Sequence, residues 1–490
     1  MQEVKNYKKA ILKNSIWQTI SRVISILVGI LSAMILTRYL GPRGYGEFNS
    51  VIVYTSIFAV IADLGVYQIL LRELAQKPKD REKIIGNVFV WRALSSFISF
   101  AIAAALGFAL PYRDLIKYII IIESIRSFVY ALRAFYVTDF QYKLRMDIAS
   151  IGDIINRVSF IIFIYLAAHF NLSLFIIFLF MFLATLLDFG FIWTSFKKIC
   201  GGFKYKFEKS YIKDFISESW PIGVASLLGM IHFKGDTFLL SIFKSQEDVG
   251  IYSASYRIYE NLVFIPGIFL GLVFPRLSYF AKNDKYHLKI FFQKVFNIML
   301  FSVIPLTLFF ALLAPYVVQV IAGPGFFNSI FPTTILSIAL IAIFMAAPFS
   351  NLIVATGKQK TLIATSLIVM TINIVLNLVF IPKYSYVAAS IITLSTEFLL
   401  MILLVIFATI QNKFLPKLNI LFKLIIPSVI LVLVVLVFKK YIPFASFENQ
   451  RTLIEVIEIG ALMIFSFAIY FIFSLFFKAF SKDFIKRTLK

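Results

Sequence analysis

The sequence predicts an all-α integral membrane protein of about fourteen transmembrane helices: two pseudo-symmetric six-helix lobes around a central cavity, and two further C-terminal helices. Three observations carry this expectation. Apolar residues make up 60% of the 490-residue chain and charged residues 15%, with a mean hydropathy of +0.89; soluble domains sit near about 45–50% and about 25%. Basic residues concentrate in every second connection between apolar runs. A segment that ends the first run also returns at the end of the seventh.

A helix needs roughly 20 apolar residues to cross the hydrocarbon core. That ruler places spans at 14–37, 47–70, 84–110, 115–137, 148–168, 173–195, 216–243, 249–273, 295–314, 330–355, 361–381, 386–409, 419–438 and 453–477. On the first, Gln18, Arg22, Ser25, Gly29 and Ser32 recur at spacings of three and four and share one face. Gly41-Pro42-Arg43-Gly44-Tyr45-Gly46 follows as a tight turn, because its spacing is wrong for a phosphate loop. The second span carries Asp63, and the third a polar stripe of Arg92, Ser95 and Ser99. Glu123 and Arg126 on the fourth, and Asp153 and Arg157 on the fifth, are spaced to pair within their helices. The sixth carries Asp188. On the seventh, Lys234 and Asp236 are two apart and point in different directions. Arg257 and Glu260 on the eighth are again spaced to pair. Pro221, Pro266, Pro305 and Pro348 fall inside or at the ends of spans, where proline bends helices. The eleventh span carries a stripe of Ser366, Asn373 and Asn377, and the twelfth Glu397. A charge at a helix centre costs about 2.5–3.5 kcal/mol on insertion scales, so this many predict a water-filled interior. Arg22 and Arg92 have no acidic partner on their own helices and are expected to bind an anion.

With a cytoplasmic N-terminus, the inner segments hold Lys5, Lys8, Lys9 and Lys13, then Arg72 to Lys83, Arg133 to Arg145 and Lys197 to Lys213. They continue with Arg276 to Lys294, Lys358 and Lys360, Lys413 to Lys423, and the tail from Lys478. Roughly 33 of the 48 basic residues fall there, about 9 outside and about 6 within helices. Both termini are therefore expected in the cytoplasm, with the chain in the cell membrane. In the repeat, Leu36 matches Leu240, Tyr39 matches Phe243, Gly46 matches Gly250 and Phe48 matches Tyr252, at a constant offset of 204. Six helices separate the copies, so both enter the membrane in the same direction. The expected organisation is an N-lobe at 1–205, a C-lobe at 206–412 and a C-terminal helix pair at 413–490.

Other function classes find no support in the residues. The excess of 48 basic over 25 acidic residues would suit nucleic acid only on a soluble basic face, and no stretch is soluble enough. The single Cys200 excludes a disulfide framework, and His169, His232 and His287 lie too far apart in sequence for an expected zinc site. No nucleotide-binding loop, hydrolase elbow or cleavable signal is recognisable. No cofactor, metal or enzymatic activity is expected.

The segment "TRYLGPRGYGEFNS" resembles the turn after the first helix in the polysaccharide flippases of the multidrug/oligosaccharidyl-lipid/polysaccharide exporter superfamily. "VGIYSASYRIYE" followed by "FPRLS" at Phe274–Ser278 resembles the family's central signature. "ATGKQK" at Ala355–Lys360, "NIVLNLVFIPKY" at Asn373–Tyr384 and Glu397 resemble its eleventh- and twelfth-helix pattern. The matches span residues 36–397 in the family's order. This resemblance implies translocation of a lipid-linked, polyprenyl-pyrophosphate oligosaccharide from the cytoplasmic to the outer leaflet for cell-surface polysaccharide assembly, by alternating access. It implies that cavity cations engage the headgroup, Arg22 and Arg92 first, and Arg126, Arg157, Lys234 and Arg257 after them. Asp63, Asp188, Asp236 and Glu397 are the candidates for sodium or proton coupling. The expected partners are that substrate, membrane lipids and glycan polymerase or ligase machinery. A cation exporter of the same superfamily and a peptidoglycan lipid-precursor flippase stand as alternatives.

Overall fold

A computed structural model describes residues 2–441 and 452–477. The basic tail from Lys478 lies outside the described residues, as do the side chains of Lys5, Lys8, Lys9 and Lys13. No strand occurs among the described residues, and the chain packs as two compact units, Met1–Gly250 and Ile251–Lys490. Ten helical stretches among the described residues are long and apolar enough to cross a bilayer. The protein is an all-α, multi-pass membrane protein.

The first unit opens with α1 (Gln2–Asp63), which covers two expected spans. The expected turn at 41–46 is reduced to one residue: Gly41 takes φ 63°, ψ −178°, and the helix resumes at once with Pro42. Glycine tolerates the left-handed φ, and proline suits a first helical position because no partner for its missing N–H is needed there. A second break cuts the expected span 47–70 in its interior. Leu64 (φ 40°) and Gly65 (φ 79°) stop α1, and α2 (Val66–Gln76) restarts. A short 3₁₀ turn at Pro78–Asp80 leads to α3 (Arg81–Gly107), α4 (Asp114–Tyr142), α5 (Met146–His169), α6 (Leu174–Cys200) and α7 (Lys209–Phe243). Charged and polar side chains dilute the apolar character of α4 and α7, which are not among the ten stretches.

The connections of this unit segregate to two ends. At one end Arg81 binds Asp139 through two bonds of 2.9 and 2.6 Å, Lys83 pairs with Glu208 at 2.6 Å, and Arg72 pairs with Glu218. An aromatic cluster of Phe89, Phe135, Tyr136, Phe196 and Phe203 lies beneath. At the other end the Tyr112 hydroxyl meets Ser241 Oγ at 2.6 Å, Arg113 pairs with Glu47 at 2.5 Å, and Tyr39 donates to the Leu172 carbonyl. Burial pushes the Tyr112 hydroxyl up to about 12, against the opposing pull of Ser241.

The sequence repeat has a structural counterpart. A Cβ on Gly46 would collide with the Gln246 carbonyl, and one on Gly250 would collide with the Pro42 carbonyl. Positions 42 and 246, like 46 and 250, are separated by the repeat offset. The contact is therefore reciprocal, as a two-fold contact must be, and its closeness is what paired small residues permit between membrane helices.

The second unit continues α8 (Gln246–Asn283) and adds α9 (Lys285–Leu312), the short α10 (Ala314–Ala322), a 3₁₀ turn at Pro324–Ser329 and α11 (Ile330–Ala355). The long α12 (Gln359–Asn412) breaks only at Ser385 (φ 53°, ψ −138°), so the eleventh and twelfth expected spans join through one left-handed residue. α13 (Asn419–Tyr441) and α14 (Thr452–Phe476) follow. Asp284 caps α9 by accepting from the N–H groups of Tyr286 and His287, each at 3.0 Å. Those bonds and the His287 ring at 2.6 Å hold its carboxyl below the usual carboxylate range.

The glycine contact makes a stability prediction. Gly46→Ala should lower the stability of the purified protein in detergent by about 1–3 kcal/mol, the range of an overpacked site. Gly190→Ala, with open space at its Cβ position, should cost nothing measurable. Thermal unfolding of both variants checks this, and equal midpoints would remove the tight crossing.

Candidate functional site

The first unit gathers charge into the apolar region, and ion pairs neutralise part of it, across helices at Arg92 and Arg133 and within one helix at Arg126. α1 ends at Asp63, so the carbonyls of its last turn lose their helical partners. Arg92, on α3, supplies replacements: its Nη1 donates to the Ala62 carbonyl at 3.0 Å and lies 2.8 Å from Asp63 Oδ1. Ser95 Oγ donates to the same carbonyl at 3.1 Å and Ser99 Oγ to the Phe58 carbonyl at 2.8 Å. The third-span stripe therefore knits the broken helix together instead of facing a lumen throughout. Arg92 is 6% exposed, and its acidic partner comes from another helix.

On α4, Arg126 binds Glu123 through Nε at 2.6 Å and Nη2 at 2.5 Å, the pairing that their spacing anticipates. The fifth helix departs from its expected pairing. Asp153 accepts from Arg133 Nη2 at 2.6 Å, not from Arg157. Arg133 Nε also lies 2.8 Å from Asp188 Oδ2 on α6, an ion pair without the alignment of a hydrogen bond. Arg133, which the charge tally places with an inner connection, is buried at 4% exposure. Its spacing of seven from Arg126, on the same helical face, was the available signal. Gly152 makes the triad possible, since a Cβ there would strike Asp188 Oδ1.

With Asp153 committed to Arg133, Arg157 makes no ion pair among the described residues. Its Nη1 reaches back to the Ser25 carbonyl of α1 at 3.5 Å. Ser25 and Arg22 are three apart on one helical face, so Arg157 and Arg22 belong to the same region. Arg22 is exposed and Arg157 partly so, unlike the buried Arg92 and Arg133. A guanidinium accessible within an apolar stretch faces water or a ligand in preference to lipid. Two such groups can offer planar, bidentate donors to phosphate oxygens. On α7, Lys234 is partly exposed and Asp236 is buried.

In the second unit Arg257 is exposed, with Glu260 3.6 Å away. Glu397 is buried at 6% exposure. Asn373 donates to Thr396 Oγ1 at 3.1 Å, and Asn377 to Asn373 Oδ1 at 2.9 Å. Asn373 and Asn377 are buried and tie the two halves of α12 together, where the expected stripe has them lining a lumen, and Ser366 of that stripe is exposed. No group of three or more His, Cys, Asp or Glu side chains fit for a metal ion occurs among the described residues.

Comparison with known proteins adds the following. Residues 11–281 match the model of a family described as polysaccharide biosynthesis protein. The capsular polysaccharide biosynthesis protein CapF of Staphylococcus aureus is 21% identical over 407 residues, 80% of this chain and 97% of that protein. A Shigella flexneri protein named for O-antigen transport is 24% identical over 372 residues, 72% and 86% of the two chains. Among solved structures, the lipid II flippase MurJ in an inward closed conformation superimposes with a TM-score of 0.74 at 16% identity, covering 95% of this chain and 98% of its own. An inward-facing multidrug resistance MATE family transporter gives 0.63 at 13% identity, covering 79% and 94%. The fold is that of these membrane transporters.

The ion-pair geometry sets an order of sensitivity. Asp188→Asn, which strips a buried guanidinium of a buried carboxylate, should destabilise the protein by about 3–5 kcal/mol. Gly152→Ala should act in the same direction by about 1–3 kcal/mol. Melting curves in detergent test both; wild-type behaviour of Asp188→Asn would contradict the triad.

Proposed function

Because the chain belongs to the polysaccharide biosynthesis protein family, we propose that it is a flippase for a lipid-linked sugar: a polyprenyl-pyrophosphate oligosaccharide carried from the cytoplasmic to the outer leaflet of the cell membrane for surface polysaccharide assembly. The observation that carries this reading is the position of Arg157, deprived of Asp153 by Arg133 and turned toward the Arg22 face of α1. Two accessible guanidiniums in an apolar stretch suit a diphosphate. The names of the CapF and O-antigen relatives, and the fold shared with a lipid II flippase, agree with a lipid-linked glycan.

The physical problem is an anionic, hydrated headgroup crossing hydrocarbon. Leaving water unpaired costs an ion tens of kcal/mol in a low dielectric. Arg22 and Arg157 replace the water with charge-assisted hydrogen bonds, while the polyprenyl tail stays in lipid. Arg92 and Arg126, each held by a carboxylate, steady the surroundings and add their donors when that carboxylate is neutralised. Lys234 extends the cationic set within the first unit, and Arg257 is the candidate of the second. Asp63 is the coupling candidate best placed for a sodium ion or proton, since its side chain is 30% exposed while that of Asp188 is 1% exposed. Neutralising Asp63 would release Arg92 toward substrate. Asp236 and Glu397 complete the coupling candidates. Both termini lie in the cytoplasm in this reading, and polymerase or ligase machinery receives the product.

The test is flipping of a labelled lipid-linked oligosaccharide in vesicles containing the purified protein. A lost charge-assisted bond of about 1.5–3 kcal/mol corresponds to a rate at least about tenfold lower. Arg22→Ala and Arg157→Ala should each show that loss at normal membrane abundance. Arg43→Ala, whose side chain is 68% exposed beside Glu47, should flip normally. Wild-type rates in both of the first two variants would overturn this assignment. Cation efflux without flipping would make the protein a small-molecule exporter.

A further inference from the structure

The second unit holds a cationic pocket that takes no part in the site above. Three connections meet there: the one between α8 and α9, the one between α11 and α12, and the one that follows α12. They enclose an open cavity of about 600 Å³. Lys282, Lys285, Lys358 and Lys413 all line it, and no carboxylate among the described residues does. None of the four lysines makes an ion pair among the described residues; Lys358 reaches only the Gln411 carbonyl at 3.5 Å. The acid nearest in sequence, Asp284, is occupied with capping α9 and with His287.

The pocket wall is fixed by backbone geometry. Gly357 adopts φ 75° and Lys413 φ 58°, so each connection turns sharply and delivers its lysine to the cavity. Gln411 braces the wall by donating to Thr361 Oγ1 at 2.8 Å. Four ammonium groups around one cavity repel one another, and that repulsion is relieved when an anion enters. Lysines act as point charges without the fixed fork of arginine. They suit a phosphate cluster whose oxygens have no set orientation. Basic pockets among membrane helices bind anionic lipid headgroups in this way.

We propose that this pocket is a phosphate-binding site, separate from Arg22 and Arg157, for a ligand carrying at least two negative charges: a diphosphate or the phosphates of anionic lipid headgroups. It gives the second unit its own hold on phosphate at the membrane surface, so occupancy there would tie this unit to the local supply of that anion.

The full chain, purified in neutral detergent, would be titrated with inorganic pyrophosphate and followed by its thermal midpoint, since a ligand that binds only the folded state raises it. In parallel, the protein would be placed in phosphatidylcholine nanodiscs with and without about 30% phosphatidylglycerol. The expected result is a midpoint that rises in wild type, with apparent affinity at least about tenfold weaker in Lys358→Gln/Lys413→Gln. Lys209→Gln/Lys213→Gln, which removes the same charge from the first unit, should respond as wild type. A response to pyrophosphate alone makes the ligand a soluble diphosphate, and one to phosphatidylglycerol alone makes it a lipid headgroup. No response in wild type, or equal responses in the two double variants, overturns the proposal. Flipping rates of Arg22→Ala do not enter this readout, so failure here leaves the transport reading standing.

Discussion

Hydrocarbon offers no hydrogen bonds, so each polar group held within it needs a partner from the protein. The break at Leu64–Gly65 makes that constraint concrete. A helix that stops inside the membrane exposes carbonyls, and Arg92 meets the need with one donor on the Ala62 carbonyl and a charge matched by Asp63. Ser95 adds a second donor to that carbonyl, and Ser99 binds the helix one turn earlier, at the Phe58 carbonyl. The consequence spreads outward, because an arginine used this way is costly to displace unless Asp63 changes charge. The same logic governs Arg133. Two carboxylates from two helices hold it, and that commitment is what leaves Arg157 available near Arg22. Function in this account is a residue of bookkeeping among buried charges.

The reciprocal contact of Pro42 and Gly46 with Gln246 and Gly250 is a second constraint of a different kind. Here the requirement is space. Two backbones approach closely enough that neither can carry a side chain, and both sides of the contact obey one sequence offset. That symmetry gives glycine a reason to stand at both matched positions. It also gives the repeat a physical meaning beyond similarity of letters.

Much of this fold is legible in the sequence. Apolar run length locates the helices, whose connections carry the ion pairs Arg81–Asp139 and Lys83–Glu208 at one end and Arg113–Glu47 at the other. Local spacing also finds Glu123–Arg126. It fails wherever the partner is distant in sequence. Asp153 lies four residues from Arg157 yet pairs with Arg133, because helical spacing makes a pair geometrically available without excluding a better partner on a neighbouring helix. One break is hidden. Gly41 and Ser385 redirect helices where one apolar run gives way to the next, but the Leu64–Gly65 interruption lies inside an apolar run with no proline to mark it. Polar stripes misled for a related reason: Ser99 and Asn377 read as lumen lining, but their partners are carbonyls and amides within the protein. The lysine pocket depends on three distant connections converging, which spacing cannot reveal.

The central claim is that the chain moves a lipid-linked glycan between leaflets. Its most direct test is the leaflet location of lipid-linked oligosaccharide in cells depleted of the protein, probed with a membrane-impermeant sugar-modifying enzyme. The account predicts that glycan accumulates in a protected, inward-facing pool and that restoring the wild-type chain exposes it. Full outward exposure in depleted cells would contradict the claim.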